Sequence, residues 1–350
     1  MSDSSVARTT DGAAGPEHTP AGQALERMLA RQPQALREIA GRDVGEAAAR
    51  LRGAQRIAFV GTGTSFHAAQ LAAWMFDGHA TMRARAVEAV RFAAAAAAID
   101  PEEAVVVITH TGETAFAAQA RHRVLGTGAP LVSITGPAVE WPEAITTPVR
   151  EEAETYTVSY TAALAVLARL GEALGATGPG PDGLPAVADR VQEILADPQI
   201  AHVPIPARAL ALVGYGPNAI TAREGALKLR EGARMLCEGF DAERLLHGFA
   251  VPYGPADGLV LIEPEADPDG LVAALGTAAA QERIPVSAVR EPAAANATAA
   301  GAGLVLAQIP VTVRLQCLAA RFAALRGTDP DVAITGAWAE PRLWGLGAPA

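Results

Sequence analysis

The stretch REGALKLREGARMLCEG, residues 223–239, contains Lys228, the only lysine among the chain's 28 lysines and arginines. Glu224 lies four residues before it and Glu231 three residues after it. On a helix these spacings put all three side chains on one face. Such a face can be an ordinary surface ion pair. The acid-first order at i and i+4 favours that pairing by roughly 0.3–0.5 kcal/mol. It can equally be an ammonium held beside a working carboxylate. Two other stretches could do chemistry. GTGTS (61–65) offers two glycines and the hydroxyls of Thr62, Thr64 and Ser65, and THTGET (109–114) offers those of Thr109, Thr111 and Thr114. Glycines let a backbone approach a ligand, hydroxyls donate to oxyanions, and a following helix N-terminus adds amide groups and a positive dipole end. Either turn alone could simply be a capped helix start. Together at neighbouring strand ends they can converge on one anion.

Neither turn has the Gly-Lys-Ser/Thr ending of a nucleotide P-loop, and GTGTSF lacks the third glycine of the dinucleotide fingerprint. The expected ligand is therefore a small phosphate ester rather than a nucleotide. Net charge is −10 and arginines are interleaved with acids, which excludes a basic track for a nucleic-acid backbone. Cys237 and Cys317 are far apart, which argues against a disulfide framework and favours a reducing cytoplasm. No metal-ligand spacing appears, so no metal or organic cofactor is expected. The first twenty residues are polar and lack the apolar core of a signal peptide, and no membrane association is expected.

The elements that must position these turns alternate. The 23–40 segment has helical periodicity, and a second short helix is expected over 44–52. Apolar runs at 56–60 and 104–108 end at the two hydroxyl-rich turns and lead into helices. ARAVEAVRF and APLVSITG read as further strands, the alanines of 93–98 as helix, and SYTAALAVLARLGEAL as a long helix. After a Gly/Pro-rich linker (174–187) and a helix at about 186–196, ARALALVGYGPNAITAREGALKL restarts the strand–turn–helix pattern. The chain thus reads as α/β, with two similar units repeating at about 150 residues, each a parallel sheet flanked by helices in three αβα layers. The expected divisions are a disordered tail (1–22), a first domain with leading helices (23–175), a linker and helix (176–204), a second domain (205–330) and an irregular C-terminal tail (331–350). Trp338 and Trp344 in that tail are expected to be packing anchors.

The pair GTGTS…THTGET resembles the signature of the sugar-isomerase (SIS) family, Gly-x-Gly-Thr-Ser followed by Ser-Gln-Ser-Gly-Glu-Thr. EGALKLRE (224–231) and ERLLHG (243–248) resemble the matching motifs in the isomerase domain of glucosamine-6-phosphate synthases (glutamine–fructose-6-phosphate aminotransferases), a tandem of two SIS domains. The resemblance runs over roughly residues 25–330. It implies a flavodoxin- or Rossmann-like fold and a phosphorylated sugar of the fructose 6-phosphate or glucosamine 6-phosphate class. Gly63, Thr64, Ser65, Thr109, His110, Thr111 and Thr114 would surround the phosphate, with Glu224 also at the site. Glu231 would be the base moving a proton between C1 and C2, Lys228 would assist, and His247 would act as acid/base in ring opening, reaching the site from a neighbouring subunit of a homodimer. His110 replaces the family's glutamine. The chain starts Met1-Ser2 without a glutaminase segment, and its tail, EPRLWGLGAPA, has no Schiff-base lysine, so a complete glutamine-dependent synthase is not expected. The expected function is a sugar-phosphate isomerase or an amino-sugar-phosphate deaminase or deglycase. The alternative is a non-catalytic sugar-phosphate sensor. Taken singly, Glu231 could be a solvated helix carboxylate, His247 a helix-ending residue, and His67 and His110 polar turn residues.

Overall fold

The computed structural model describes residues 21–95, 99–263, 267, 269–291 and 300–349. The expected tail through residue 20 and the alanines at 96–98 lie outside them. Helix α1 (Gln23–Ala40) buries Leu25, Met28, Leu29, Leu36 and Ile39 on one face, the stripe its periodicity requires. Helix α2 (Gly45–Leu51) follows, leading into the first sheet: β1 (Arg56–Gly61), β2 (Arg83–Glu88), β3 (Glu103–Ile108), β4 (Leu131–Thr135) and β5 (Ala144–Thr146). Between them run α3 (Thr64–Met75), α4 (Ala89–Ala94) and α5 (Ala115–Leu125). All pairings are parallel, in the order β2-β1-β3-β4-β5. Strand β3 is buried along its whole length, as a central strand covered on both faces must be.

Helices α6 (Val158–Ala173) and α7 (Gly183–Ala196) lead to the second sheet: β6 (Ala209–Gly214), β7 (Leu236–Asp241), β8 (Gly258–Ile262) and β9 (Val286–Val289), again all parallel, in the order β7-β6-β8-β9. Its helices are α8 (Pro217–Ala233), the short α9 (Ala242–Arg244) and α10 (Leu271–Gln281). Helix α11 (Gly301–Arg326) packs on α6, α7 and α8, and its Ile309 and Val313 join the first core while Leu315 and Phe322 join the second. It is the helix among the described residues that is long and apolar enough to cross a bilayer, but 83% of that window is buried inside the fold. It is therefore the shared core helix of the two units.

Several boundaries differ from the sequence reading. The alanine-rich helix stops at Ala94, and Ala95 is extended. Helix α7 starts at Gly183, inside the supposed linker. Strands β5 and β7 were not expected: β5 has three residues, and β7 alternates exposed and buried because it is an edge strand. The stretch RLQCLAARFAALRG (314–327) reads as the last helix, but that helix begins already at Gly301, and its first half is as buried as its second. The tail is only partly irregular, with a 3-10 turn at Gly336–Ala339 and α12 (Pro341–Trp344).

Candidate active site

A cavity of about 530 Å³ opens beyond the carboxyl ends of β1, β3 and β4, the usual ligand position in an open parallel sheet. Gly63, Thr64, Ser65, Thr109, His110, Thr111 and Thr114 all line it, so the two hydroxyl-rich turns do meet at one place. The turn after β1 depends on two glycines for different reasons. A side chain at Gly61 would sit 2.4 Å from the Ser65 carbonyl oxygen, and Gly63 adopts φ 54°, ψ −126°, a conformation that L residues avoid. Neither α3 nor α5 has a side-chain cap hydrogen bond at its N-terminus. Their positive ends therefore face the cavity without a competing capping carboxylate or hydroxyl.

His110 is held as a neutral imidazole. Burial, reinforced by the Arg150 charge, lowers its pKa to about 4. Its Nε2 accepts the Glu151 amide at 3.0 Å, so the ring proton belongs on Nδ1. The ring is a hydrogen-bond donor there, not a cation.

The opposite wall comes from the second unit. Helix α8 lies against β7 so closely that a side chain at Gly239 would meet the Arg223 backbone at 2.4 Å. It carries Glu224, Lys228 and Glu231 on one face, turned towards the first unit. Lys228 is 1% exposed, with its Nζ 2.6 Å from Glu231 Oε2 and 3.6 Å from Glu224 Oε1. This is not the surface ion pair that spacing alone allows. Burial would lower the Lys228 pKa, but the Glu231 and Glu224 carboxylates outweigh it and raise it, so the group is held as an ammonium. Glu231 lines the cavity, with its side chain 20% exposed. Burial raises its pKa, and the pull of Lys228 reduces that rise without cancelling it. A carboxylate with raised basicity facing a cavity can take a proton from carbon; Lys228 lies buried behind it, does not line the cavity, and can act on a developing oxyanion only through its charge.

Glu224 behaves differently. It is fully buried, and burial alone would raise its pKa, but Lys228, His67 and Thr64 together bring it below the ordinary range. The Thr64 hydroxyl donates to Oε1 at 3.2 Å, and His67 Nδ1 lies 2.6 Å from Oε2. Thr64, expected at the phosphate, thus also ties the turn to α8, and His67 is a partner of Glu224 rather than a free turn residue.

The structure does not bring His247 into this cavity. It sits on a kinked π-helical segment (Leu245–Phe249), its side chain 69% exposed and 3.1 Å from Glu243. Its ring is also not a simple helix-ending residue, since Gly248 after it turns to φ 90° within the segment. The C-terminal tail departs from expectation as well. Trp344 lines the cavity, while Trp338 is exposed and accepts the Trp344 indole N–H through its carbonyl, so neither is a buried packing anchor. Sequence reading missed the cavity residues Thr135, Glu154, Tyr156, Ser159 and Tyr160. For Tyr156, Ser159 and Tyr160 the dense hydroxyl run TYTVSYT (155–161) was the visible signal. Glu151 organises that run, its carboxylate accepting the Thr157 and Ser159 amides and the Ser159 hydroxyl at 2.9–3.0 Å. Among the described residues no group of three His, Cys, Asp or Glu side chains is placed to hold a metal.

A parallel α/β architecture with a hydroxyl-lined pocket at the strand ends fits what similarity to known proteins shows. Residues 50–171 match the family model of the SIS domain, so the first unit carries a SIS domain. The chain is 28% identical over 302 residues to the glutamine–fructose-6-phosphate aminotransferase of Thermococcus kodakarensis, an alignment covering 79% of this chain and 50% of that protein. It spans about half the length of the curated relatives it matches, 50% and 54%. Among solved structures, tagatose-6-phosphate ketose/aldose isomerase from Escherichia coli superposes with TM-score 0.74 at 16% identity, covering 91% of this chain and 98% of that one. Glucosamine-6-phosphate deaminase from Thermotoga maritima gives 0.68 at 16% identity, covering 88% and 97%. At these identities the structures establish the fold alone.

Proposed function

We propose that the protein is an enzyme of two SIS domains that moves a proton between C1 and C2 of a hexose 6-phosphate derivative, as a sugar-phosphate isomerase or an amino-sugar-phosphate deaminase or deglycase. The observation that carries this reading is Glu231: a carboxylate of raised pKa on the cavity wall, 2.6 Å from a buried ammonium and across from two hydroxyl-rich turns. The turns and the α3 and α5 N-termini take the phosphate, Glu231 takes the proton, and Lys228 stabilises the enediolate oxygen. Lys228 is held as an ammonium in ion-pair contact with Glu231 and Glu224, which suits this role and disfavours imine formation at that residue. Supporting a second SIS domain, β6–α8 repeats the strand order and turn geometry of β1–α3. Supporting a homodimer, His247 stands exposed beside the exposed apolar residues Leu246, Phe249 and Val251, so that a second copy can receive it. Mixed dimers of Glu231→Gln and His247→Ala chains then regain activity that each variant alone lacks.

Incubation with fructose 6-phosphate and with glucosamine 6-phosphate in deuterated water tests the reading by mass spectrometry of the recovered sugar. Deuterium at C1 of the recovered fructose 6-phosphate, or at C2 of the recovered glucosamine 6-phosphate, supports it. Binding of both sugars without incorporation favours the sensor.

A further inference from the structure

We infer that His67 is a positioning residue that sets where the Lys228 ammonium sits, acting through Glu224; this rests on the proposed role of Glu231. The geometry is a continuous path from the turn after β1 to the candidate base. His67 lies on α3, one turn into the helix that opens at Gly63, with its side chain 14% exposed. Its Nδ1 is 2.6 Å from Glu224 Oε2. An ionised carboxylate only accepts, so Nδ1 carries a proton and donates. The other oxygen, Oε1, receives the Thr64 hydroxyl at 3.2 Å and faces Lys228 Nζ at 3.6 Å. Lys228 in turn makes its closer contact, 2.6 Å, with Glu231.

One ammonium therefore stands between two carboxylates. Glu224 is fully buried, so each of its oxygens needs a donor. With Oε2 held by His67 and Oε1 by Thr64, Glu224 makes little further demand on Lys228, which stays against Glu231. Without the His67 donor, Oε2 is left buried and unpaired. The carboxylate then turns towards the nearest remaining donor, the ammonium, and draws it away from Glu231 and from the oxygen it must steady. His67 thus couples the sugar-phosphate turn of the first unit to the catalytic helix of the second without touching the substrate itself.

Lys228 is the only lysine, so incorporation of lysine labelled with 13C and 15N at the side-chain terminus gives one ammonium signal in the full-length protein. Three proteins are compared: wild type, His67→Ala and His67→Asn, whose amide nitrogen can donate from near the position of Nδ1. In His67→Ala the Lys228 signal shifts and kcat for C1 hydrogen exchange of fructose 6-phosphate falls roughly 10- to 100-fold, while KM changes by less than about threefold. His67→Asn restores most of both. A Lys228 signal unmoved in His67→Ala overturns the inference, as does an effect on KM alone, which would mean that His67 only supports the turn. Melting curves of both variants identify any loss through unfolding, and in that event the His67→Asn signal and kcat decide. A wild-type chain that exchanges no proton overturns the catalytic reading, and the NMR comparison still decides for or against His67.

Discussion

The turn after β1 and the turn after β6 are built on the same backbone but meet different surroundings. Gly63 stands at φ 54°, ψ −126° and Gly216 at φ 57°, ψ −127°. A side chain at Gly61 would collide with the turn backbone at 2.4 Å and one at Gly214 at 2.3 Å. In both sheets the first strand lies second in order, beside its successor on one side and the following strand on the other. The chemistry placed on this frame differs. After β1 come Thr62, Thr64 and Ser65, which line the cavity, and after β6 come Tyr215, Pro217 and Asn218, which do not. The second unit contributes instead through the helix that follows its turn, presenting Glu224, Lys228 and Glu231 to the first. Backbone geometry makes a possible anion site, but side-chain oxygens and a facing carboxylate make it a candidate for catalysis.

Four substitutions bear on this contrast. The largest effect is expected from Lys228→Met. It leaves Glu224 and Glu231 facing each other without their shared cation, a loss of about 3–5 kcal/mol for a broken buried ion pair, measured by denaturant unfolding. The same change removes the charge that restrains the Glu231 pKa. The base then stays protonated to higher pH, and the acid limb of the kcat/KM profile moves upward.

Next come the paired changes Gly63→Ala and Gly216→Ala. A side chain at Gly63 meets nothing within 4 Å, and one at Gly216 only grazes the Trp74 ring at 4.0 Å, so the cost at both is torsional strain of about 1–3 kcal/mol. Calorimetric melting should show similar losses. Only Gly63→Ala should weaken sugar-phosphate binding in titration calorimetry. Equal weakening in both variants would break the contrast between the turns.

The smallest effect concerns His110. Its pKa is lowered from 6.5 to about 4 in the folded chain, so between these values the unfolded chain binds the extra proton. Folding stability contributed by the neutral ring is complete above pH 6.5 and is lost as pH falls towards 4. In His110→Gln that part of the acid sensitivity should disappear, which unfolding curves at pH 7 and pH 5 can read.

Much of the frame was legible because its signals are local. Helix α1 runs over the segment its periodicity indicated, and β1 and β3 stand where apolar runs end at glycine- or threonine-rich turns. The 224/228/231 face was visible as helical spacing. Its inward direction was not, because that depends on how closely Gly239 lets α8 approach β7, a contact between distant parts of a parallel sheet. Thr135, Tyr156 and Tyr160 were unreadable one by one for a similar reason: they reach the cavity through strand order and through the Glu151 carboxylate that folds the 151–159 segment. Trp344 reaches it because the tail folds back, its Gly347 lying against the Phe116 ring. His247 was named from the resemblance, and the kinked segment it sits on turns its side chain out to solvent, away from the cavity.

The most direct test of the central claim compares wild type with Glu231→Gln on one sugar phosphate, with dissociation constant and deuterium exchange of the transferred hydrogen (C1 of a ketose, C2 of an aldose) measured on the same samples. The amide keeps the size of the carboxylate and removes its basicity. Binding should stay within about threefold while exchange falls about 10²- to 10⁴-fold, the range for losing a general base. Exchange at the wild-type rate in Glu231→Gln would contradict the account.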